Sequence, residues 1–251
     1  MVQHFHDVLG EKYILCSQQV RVIGRDQVFG KKPDAIFWVI DHLDRGAGGG
    51  GDLDARFQEH QVYYLSHVGA SQGVVDFSTI AGLGAKFVYL EASDGAGGKD
   101  AGFAQNFARA RVAGLEVGAA HRFDPCAVAD GQSANFVTMV PRDAGLLPPA
   151  IILDRSAQDC PSRVSAAAVQ SELTTLVNQI ESHTGKPAIL APDEEFEETY
   201  ATSRRFERQL WLSRSWFEPE YATRPWLMWT ANRWYQTEAA RAPLRWVVVQ
   251  P

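Results

Sequence analysis

The sequence predicts an α/β fold with a mainly parallel sheet. From residue 62 onward, short runs rich in aromatic and β-branched residues alternate with stretches of helical period. That alternation is the mark of repeated strand–helix units. The chain is 251 residues long, 45% hydrophobic and 22% charged, which supplies enough apolar surface for a sizeable core. The last apolar runs have few helical residues between them, so the final part is expected to be antiparallel.

The elements follow in order. "VYYLSHV" is strand-like and "AKFVYLEAS" is a clear strand. "GFAQNFARARVAGL" predicts a helix with Phe103, Phe107 and Ala110 on one face and Gly114 just past its end. "EVGAAHRF" is the next strand, "GQSANFVTMVP" a helix that stops near Pro141, and "PPAIILD" another strand. "SAAAVQSELTTLVNQIESHTGK" is the strongest helix. Val169, Leu173, Leu176, Val177 and Ile180 form its apolar stripe, Ser165 is placed to cap it, and Gly185 follows it. "KPAILA", "QLWLSRSW", "PWLMWTA" and "RWVVVQ" are further short strands. The acidic run "DEEFEETY", residues 193–200, is expected to be the solvated face of a helix.

Residues 1–60 are expected to form an N-terminal extension of unknown role, ahead of a domain over 61–251. "KYILCSQQVRVIG" suggests a strand or hairpin and "DAIFWVIDHL" a second buried segment. The four consecutive glycines in "DRGAGGGGDLD" mark a loop or linker. They lack the strand and helix context of a phosphate cradle.

Composition excludes several partners. The formal net charge is -6, so no basic patch is offered to nucleic acid. No apolar stretch approaches the roughly 20 residues of a membrane span. The N-terminus lacks a basic start followed by an apolar segment, so no secretory signal is expected. Cys16, Cys126 and Cys160 are far apart and odd in number. Without CxxC or Cys/His spacing, neither a metal site nor a disulfide is expected, and the cysteines are expected as buried free thiols. No cofactor is expected.

The order of phrases "QGVVDFSTI", "AKFVYLEASDG", "KDAGFAQNFARARVAGLEVGAAHRF", "GQSANFVTMV", "LLPPAIILD", "IESHTGKPAIL", "LWLSRSW" and "PWLMWTA" resembles glycoside hydrolase family 25, the Chalaropsis-type lysozymes. The resemblance covers roughly residues 62–251. It implies a flattened TIM-like β/α barrel and a muramidase that cuts the β-1,4 bond between N-acetylmuramic acid and N-acetylglucosamine of peptidoglycan. It also implies four acids at the strand ends: one in a first-strand motif resembling G-I-D-V-S-x-x-Q-G, two from a D-x-E strand after Pro-Pro, and one near the C-terminus after a W-Q-Y segment. Residues i and i+2 of a strand face the same side, about 6–7 Å apart. Two carboxylates so placed can flank one glycosidic bond, since glycosidases hold such pairs about 5–9.5 Å apart.

This chain departs from that pattern. Counted without gaps from Pro148-Pro149, the D-x-E positions are Ile152 and Asp154, and with a shift of two residues they are Asp154 and Ser156; either way the strand supplies one carboxylate. In the first-strand motif, counted back from Gln72-Gly73, the acid position is His67 and the Ser position Gly69. "WTANRW" and "LRWVVVQP" offer no fourth acid. A positioned acid or base contributes typically about 10²–10⁴-fold to a rate, so the loss of several should reduce turnover severely.

Asp154 is therefore the candidate catalytic residue, as general acid; the bland alternative is an ion pair with Arg122, Arg155 or another base. The resemblance makes His67, Glu91, His121, Trp211, Trp226 and Trp229 candidate substrate-binding residues. His121 stands in the family's Y-H-F phrase, and the tryptophans offer faces on which sugars stack; core packing is the competing role for each. Asp76 and Asp100 are expected as caps. Three functions are expected in order: a catalytically impaired lysozyme-like domain that binds peptidoglycan glycan or acts as an interaction module; an active muramidase using Asp154; and a scaffold component of a phage or secretion assembly, with a protein partner.

Overall fold

The computed structural model describes residues 67–69 and 73–249. They belong to one compact unit, Tyr63–Pro251. The expectations for residues 1–60, and for the greater part of "VYYLSHV", lie outside the described residues.

The chain enters as β1 (His67–Val68), then α1 (Phe77–Gly82), β2 (Phe87–Asp94) and the short β3 (Gly98–Lys99). Next come α2 (Phe103–Val112), β4 (Glu116–Arg122), α3 (Ala129–Met139) and β5 (Ala150–Leu153). After a single 3-10 turn follow α4 (Ala166–Thr184), β6 (Ile189–Pro192), α5 (Glu194–Tyr200) and α6 (Thr202–Arg205). The chain closes with β7 (Trp211–Ser213), β8 (Met228–Tyr235) and β9 (Leu244–Val249). Among the described residues no helix is long and apolar enough to cross a membrane.

The described residues form a mixed α/β fold with two sheets. The larger has the order β1-β2-β4-β5-β6, with β3 beside β2. Its long-range pairings β1–β2, β2–β4, β4–β5 and β5–β6 are parallel, and only the β2–β3 pair is antiparallel. Each parallel step needs a crossover, and the helices supply them. The smaller sheet has the order β7-β8-β9. There β7 pairs with β8 in parallel and β8 with β9 antiparallel, so the expected antiparallel ending applies to the last pair alone. A single bridge, Leu190 to Leu210, links the end of the large sheet to the approach to β7.

Local sequence explains the boundaries. Asp76 caps α1 by accepting from Ser78 N and Thr79 N. Ser165 caps α4 by accepting from Ala168 N, and Gly185 ends that helix in the left-handed region at φ 70°, where a Cβ would be strained. The predicted stripe of α4 is buried from Val169 to Ile180. On α2 the buried face is Phe103, Asn106 and Ala110, with Phe107 only half-buried.

Two expectations need correction. Residues 193–200 are not simply a solvated face: Phe196 and Tyr200 are buried, and so is Glu197, whose carboxylate accepts from Ser203 N and Ser203 Oγ. The hydrophobic i, i+4 pair was masked by the charges around it. Second, Cys126 and Cys160 form a disulfide, with Cα atoms 5.3 Å apart. Their 34-residue separation carries no motif. Adjacent parallel strands β4 and β5 deliver their following loops to the same end of the sheet, and there the two thiols meet.

Candidate active site

Side-chain alternation builds the site. Phe87 and Tyr89 of β2, Ala120 of β4, Ala150 and Ile152 of β5 and Ile189 of β6 share one core cluster with Trp211, Met228 and Val247. That cluster draws on both sheets. Because successive residues of a strand point to opposite faces, the next same-side position on each strand lies one layer above. Those positions are Glu91 on β2, Arg122 on β4 and Asp154 after β5; on β6 Ala191 packs against the cluster, and Asp193 follows two residues on. Beside them, β9 runs the opposite way and brings in Arg245, two residues before Val247. An apolar layer is thus topped by charged residues at the carboxyl ends of the parallel strands.

The charges are paired. Arg122 Nη2 donates to Glu91 Oε1 at 2.9 Å, and Arg122 Nη1 donates to Asp154 Oδ2 at 3.0 Å. One guanidinium therefore spans two carboxylates from the strands on either side of it. The other oxygen of Asp154, Oδ1, is buried and has no hydrogen-bond partner among the described residues. Arg155, expected as a possible partner of Asp154, instead grips Asp94 with both terminal nitrogens, at 2.6 and 2.7 Å. Burial and the nearby Arg122 charge lower the affinity of Arg245 for its proton, and the charges of Glu91 and Asp154 partly restore it.

Asp193 was hidden in the acidic run. Its backbone N–H donates to Leu153 O at 3.0 Å, so it follows β6 at the level where Asp154 follows β5. Its Oδ1 caps α5 by accepting from Phe196 N at 2.8 Å. Burial pushes its carboxyl up from the usual range and the Asp154 charge adds to the shift, against the Phe196 N–H and Arg233. Asp154, Arg155, Asp193, Phe196 and Tyr200 line one shallow cavity. Tyr221 accepts from Ser213 N and donates to Pro192 O, both at 2.9 Å, which ties the ends of β7 and β6 together beside it.

The other expected site residues divide by exposure. His67 begins β1 and pairs with Tyr89. His121 is fully buried: its Nδ1 lies 2.8 Å from Ser93 Oγ and its Nε2 3.3 Å from Gln132 Oε1 of α3. Alternation explains this, since His121 falls between Ala120 and Arg122 and so faces the helices. Burial pushes its pKa down to about 4, which keeps the ring neutral near pH 7. Trp211 belongs to the apolar layer, 3% exposed, and donates to Thr230 Oγ1 at 2.8 Å. Trp226 is buried and donates to Glu218 Oε1. Trp229 is half-buried, donates to Arg214 O, and packs 5.8 Å from Trp226. Among the described residues no group of three or more His, Cys, Asp or Glu is arranged to hold a metal ion.

The arrangement brings together Glu91 and Asp154, adds Asp193, and places a cation between the first two. The signal available for Arg122, Asp193 and Arg245 was strand alternation continued one step past the apolar residues.

Comparison with known proteins bears on the family and the fold. The model of glycosyl hydrolases family 25 matches residues 67–242. A family 25 glycosyl hydrolase from Bacillus anthracis shares the fold at 22% identity, with a TM-score of 0.68 over 82% of this chain and 94% of that one. A bacterial lysozyme from Streptomyces coelicolor does so at 17% identity and a TM-score of 0.67, over 76% and 93%. For a family GH25 lysozyme from Aspergillus fumigatus the values are 16%, 0.63, 76% and 95%. No curated protein matches the sequence.

Proposed function

The chain belongs to glycosyl hydrolase family 25, and from that membership we propose a lysozyme-like domain that binds peptidoglycan glycan and hydrolyses it only slowly. The two sheets, sharing one core cluster, are read as a flattened TIM-like barrel with the charged layer at its mouth. Catalysis at the strand ends is the rule for that architecture. Glu91 and Asp154 are the groups offered to a glycan; Trp229, next to Met228 of the core cluster, lies on the other face of its strand. His121, Trp211 and Trp226 are buried and support that surface from behind.

The observation that carries slow turnover is the bridge from Arg122 to Glu91 and Asp154. Glycoside hydrolysis passes through an oxocarbenium-like transition state, whose positive charge needs a carboxylate nearby. A guanidinium already claims both. At the family's other D-x-E position stands Ile152, packed in the apolar layer.

Purified bacterial cell walls test the reading. The chain is expected to co-sediment with walls and to clear their turbidity far more slowly than an active family 25 lysozyme at equal concentration. Clearance at a comparable rate, abolished by Asp154→Asn, would establish the active-muramidase reading, which the partnerless Oδ1 of Asp154 favours. Failure to sediment would remove the glycan reading and leave a scaffold role with a protein partner.

A further inference from the structure

Two carboxyls, Asp154 and Asp193, leave neighbouring parallel strands at the same level. Leu153 pairs with Pro192 in the last register of β5 and β6, and the next residue on each strand is the acid. Parallel neighbours lie about 4.8 Å apart and matched positions face the same side. The side they face is that of Ile152 and Ala191, the residues two before them, which pack in or against the apolar layer. Both acids line the same cavity. The strand spacing lies near the shorter of the two carboxyl separations that glycosidases use, about 5–5.5 Å.

Their surroundings differ. Asp154 has Arg122 on Oδ2. Asp193 has no ion pair of its own among the described residues; its bond is to the Phe196 N–H. The charged and titratable groups facing it are Asp154 and Arg155 from the end of β5, Arg233 from β8, Tyr221 from the segment after β7, and Glu194, Glu195 and Tyr200 from α5.

We propose that Asp193 is the proton-donating carboxyl of the slow hydrolysis and that Asp154 is its ionised partner. This rests on the glycan reading above. In the step, the Asp193 O–H bond breaks and its proton goes to the glycosidic oxygen. The bond from that oxygen to the sugar's anomeric carbon breaks, and its electron pair stays on the oxygen. As that bond breaks, the Asp154 carboxylate bonds to the anomeric carbon; water then bonds to that carbon, the bond to Asp154 breaks, and the water's proton goes to Asp193, which resets both acids. Two acids whose environments set their proton affinities apart are the recurring basis of such a division of labour. Burial holds the Asp193 carboxyl up, which suits the donor.

Asp193→Asn separates this role from capping, because Asn caps a helix as well as Asp does. Muropeptides released from purified walls over long incubation are counted by mass spectrometry, at a series of pH values. The unaltered chain is expected to release them slowly, with a rate that falls as pH rises through the ionisation of Asp193. Asp193→Asn is expected to lower the rate about 100-fold or more and to erase that alkaline limb. Its melting temperature should stay unchanged, and Glu194→Gln should match the unaltered chain. An unchanged rate or pH limb in Asp193→Asn overturns the assignment. So does an unaltered chain that sediments with walls but releases nothing, and in that case glycan binding still stands. Only failure of the unaltered chain to sediment counts against the glycan reading itself.

Discussion

Gly69 lies directly against Glu91. A Cβ built on Gly69 would stand 2.3 Å from Glu91 Oε2, and 2.9 Å from Asp100 Oδ2. The missing side chain at the end of β1 thus makes the space that the Glu91 carboxylate fills on its way to Arg122. Gly69→Ala should push Glu91 off that bridge and destabilise the fold by about 1–3 kcal/mol, the range for overpacking a filled site. In a Glu91→Ala background the same change should cost much less. A double-mutant cycle followed by thermal melting reads the coupling, and additivity would mean the two residues do not compete for one space.

Arg122 should be needed for the stability of the charged layer. Arg122→Met leaves Glu91 and Asp154 facing the same gap without their shared cation. The three side chains are 23, 31 and 26% exposed, so water screens part of the cost. A loss of about 1–3 kcal/mol is expected, below the range for breaking a fully buried pair. Adding Glu91→Gln and Asp154→Asn should recover most of it. Denaturant melts of the single and triple variants check this; equal losses in both would show that Arg122 acts through packing of its aliphatic stem.

Local signals made much of this fold legible. Helix α4 was readable from end to end because its cap, stripe and terminal glycine all lie within one continuous stretch, Ser165 to Gly185. Asp76 caps its helix, as the resemblance implies; Asp100, expected as a second cap, accepts from Gly102 N instead, and α2 follows Gly102 without a side-chain cap. The charged layer was readable only in part. Glu91 and Asp154 follow strong apolar runs, but Asp193 precedes two glutamates and merges with them in the sequence. Only the pairing of Leu153 with Pro192 sets it beside Asp154. The resemblance of its phrase to the family's makes His121 a candidate substrate-binding residue; which face of β4 it occupies depends on alternation from Ala120, and that turns it inward.

The disulfide was illegible for a related reason, since a non-local contact joined cysteines 34 residues apart. Closing a loop of that length in the unfolded chain should stabilise the fold by about 3–4 kcal/mol. Reduction, or Cys126→Ser with Cys160→Ser, should therefore lower the melting temperature by several degrees. Thiol titration of the denatured chain should give one reactive thiol before reduction and three after it, because the sequence has three cysteines. Three thiols without reduction would mean that the bridge does not form.

His121 should make the fold sensitive to mild acid. Its ring is buried between Ser93 and Gln132, and burial lowers its pKa from 6.5 to about 4. In the unfolded chain the ring titrates near the ordinary value, so between these two values the unfolded state binds the extra proton and the folded state does not. The contribution of neutral His121 is thus fully present above about pH 6.5, declines as the pH falls, and is gone below about 4. A gap of this size corresponds to a few kcal/mol at one pKa unit per about 1.4 kcal/mol. His121→Phe removes the proton site, at the cost of leaving Ser93 and Gln132 without their ring partner. It should be less stable than the unaltered chain at pH 7.5, and the difference in melting temperature should shrink steadily toward pH 4.5. Carboxylates elsewhere titrate in both proteins and cancel in that difference. A difference that stays constant across the range would mean that His121 keeps an ordinary pKa in the folded state.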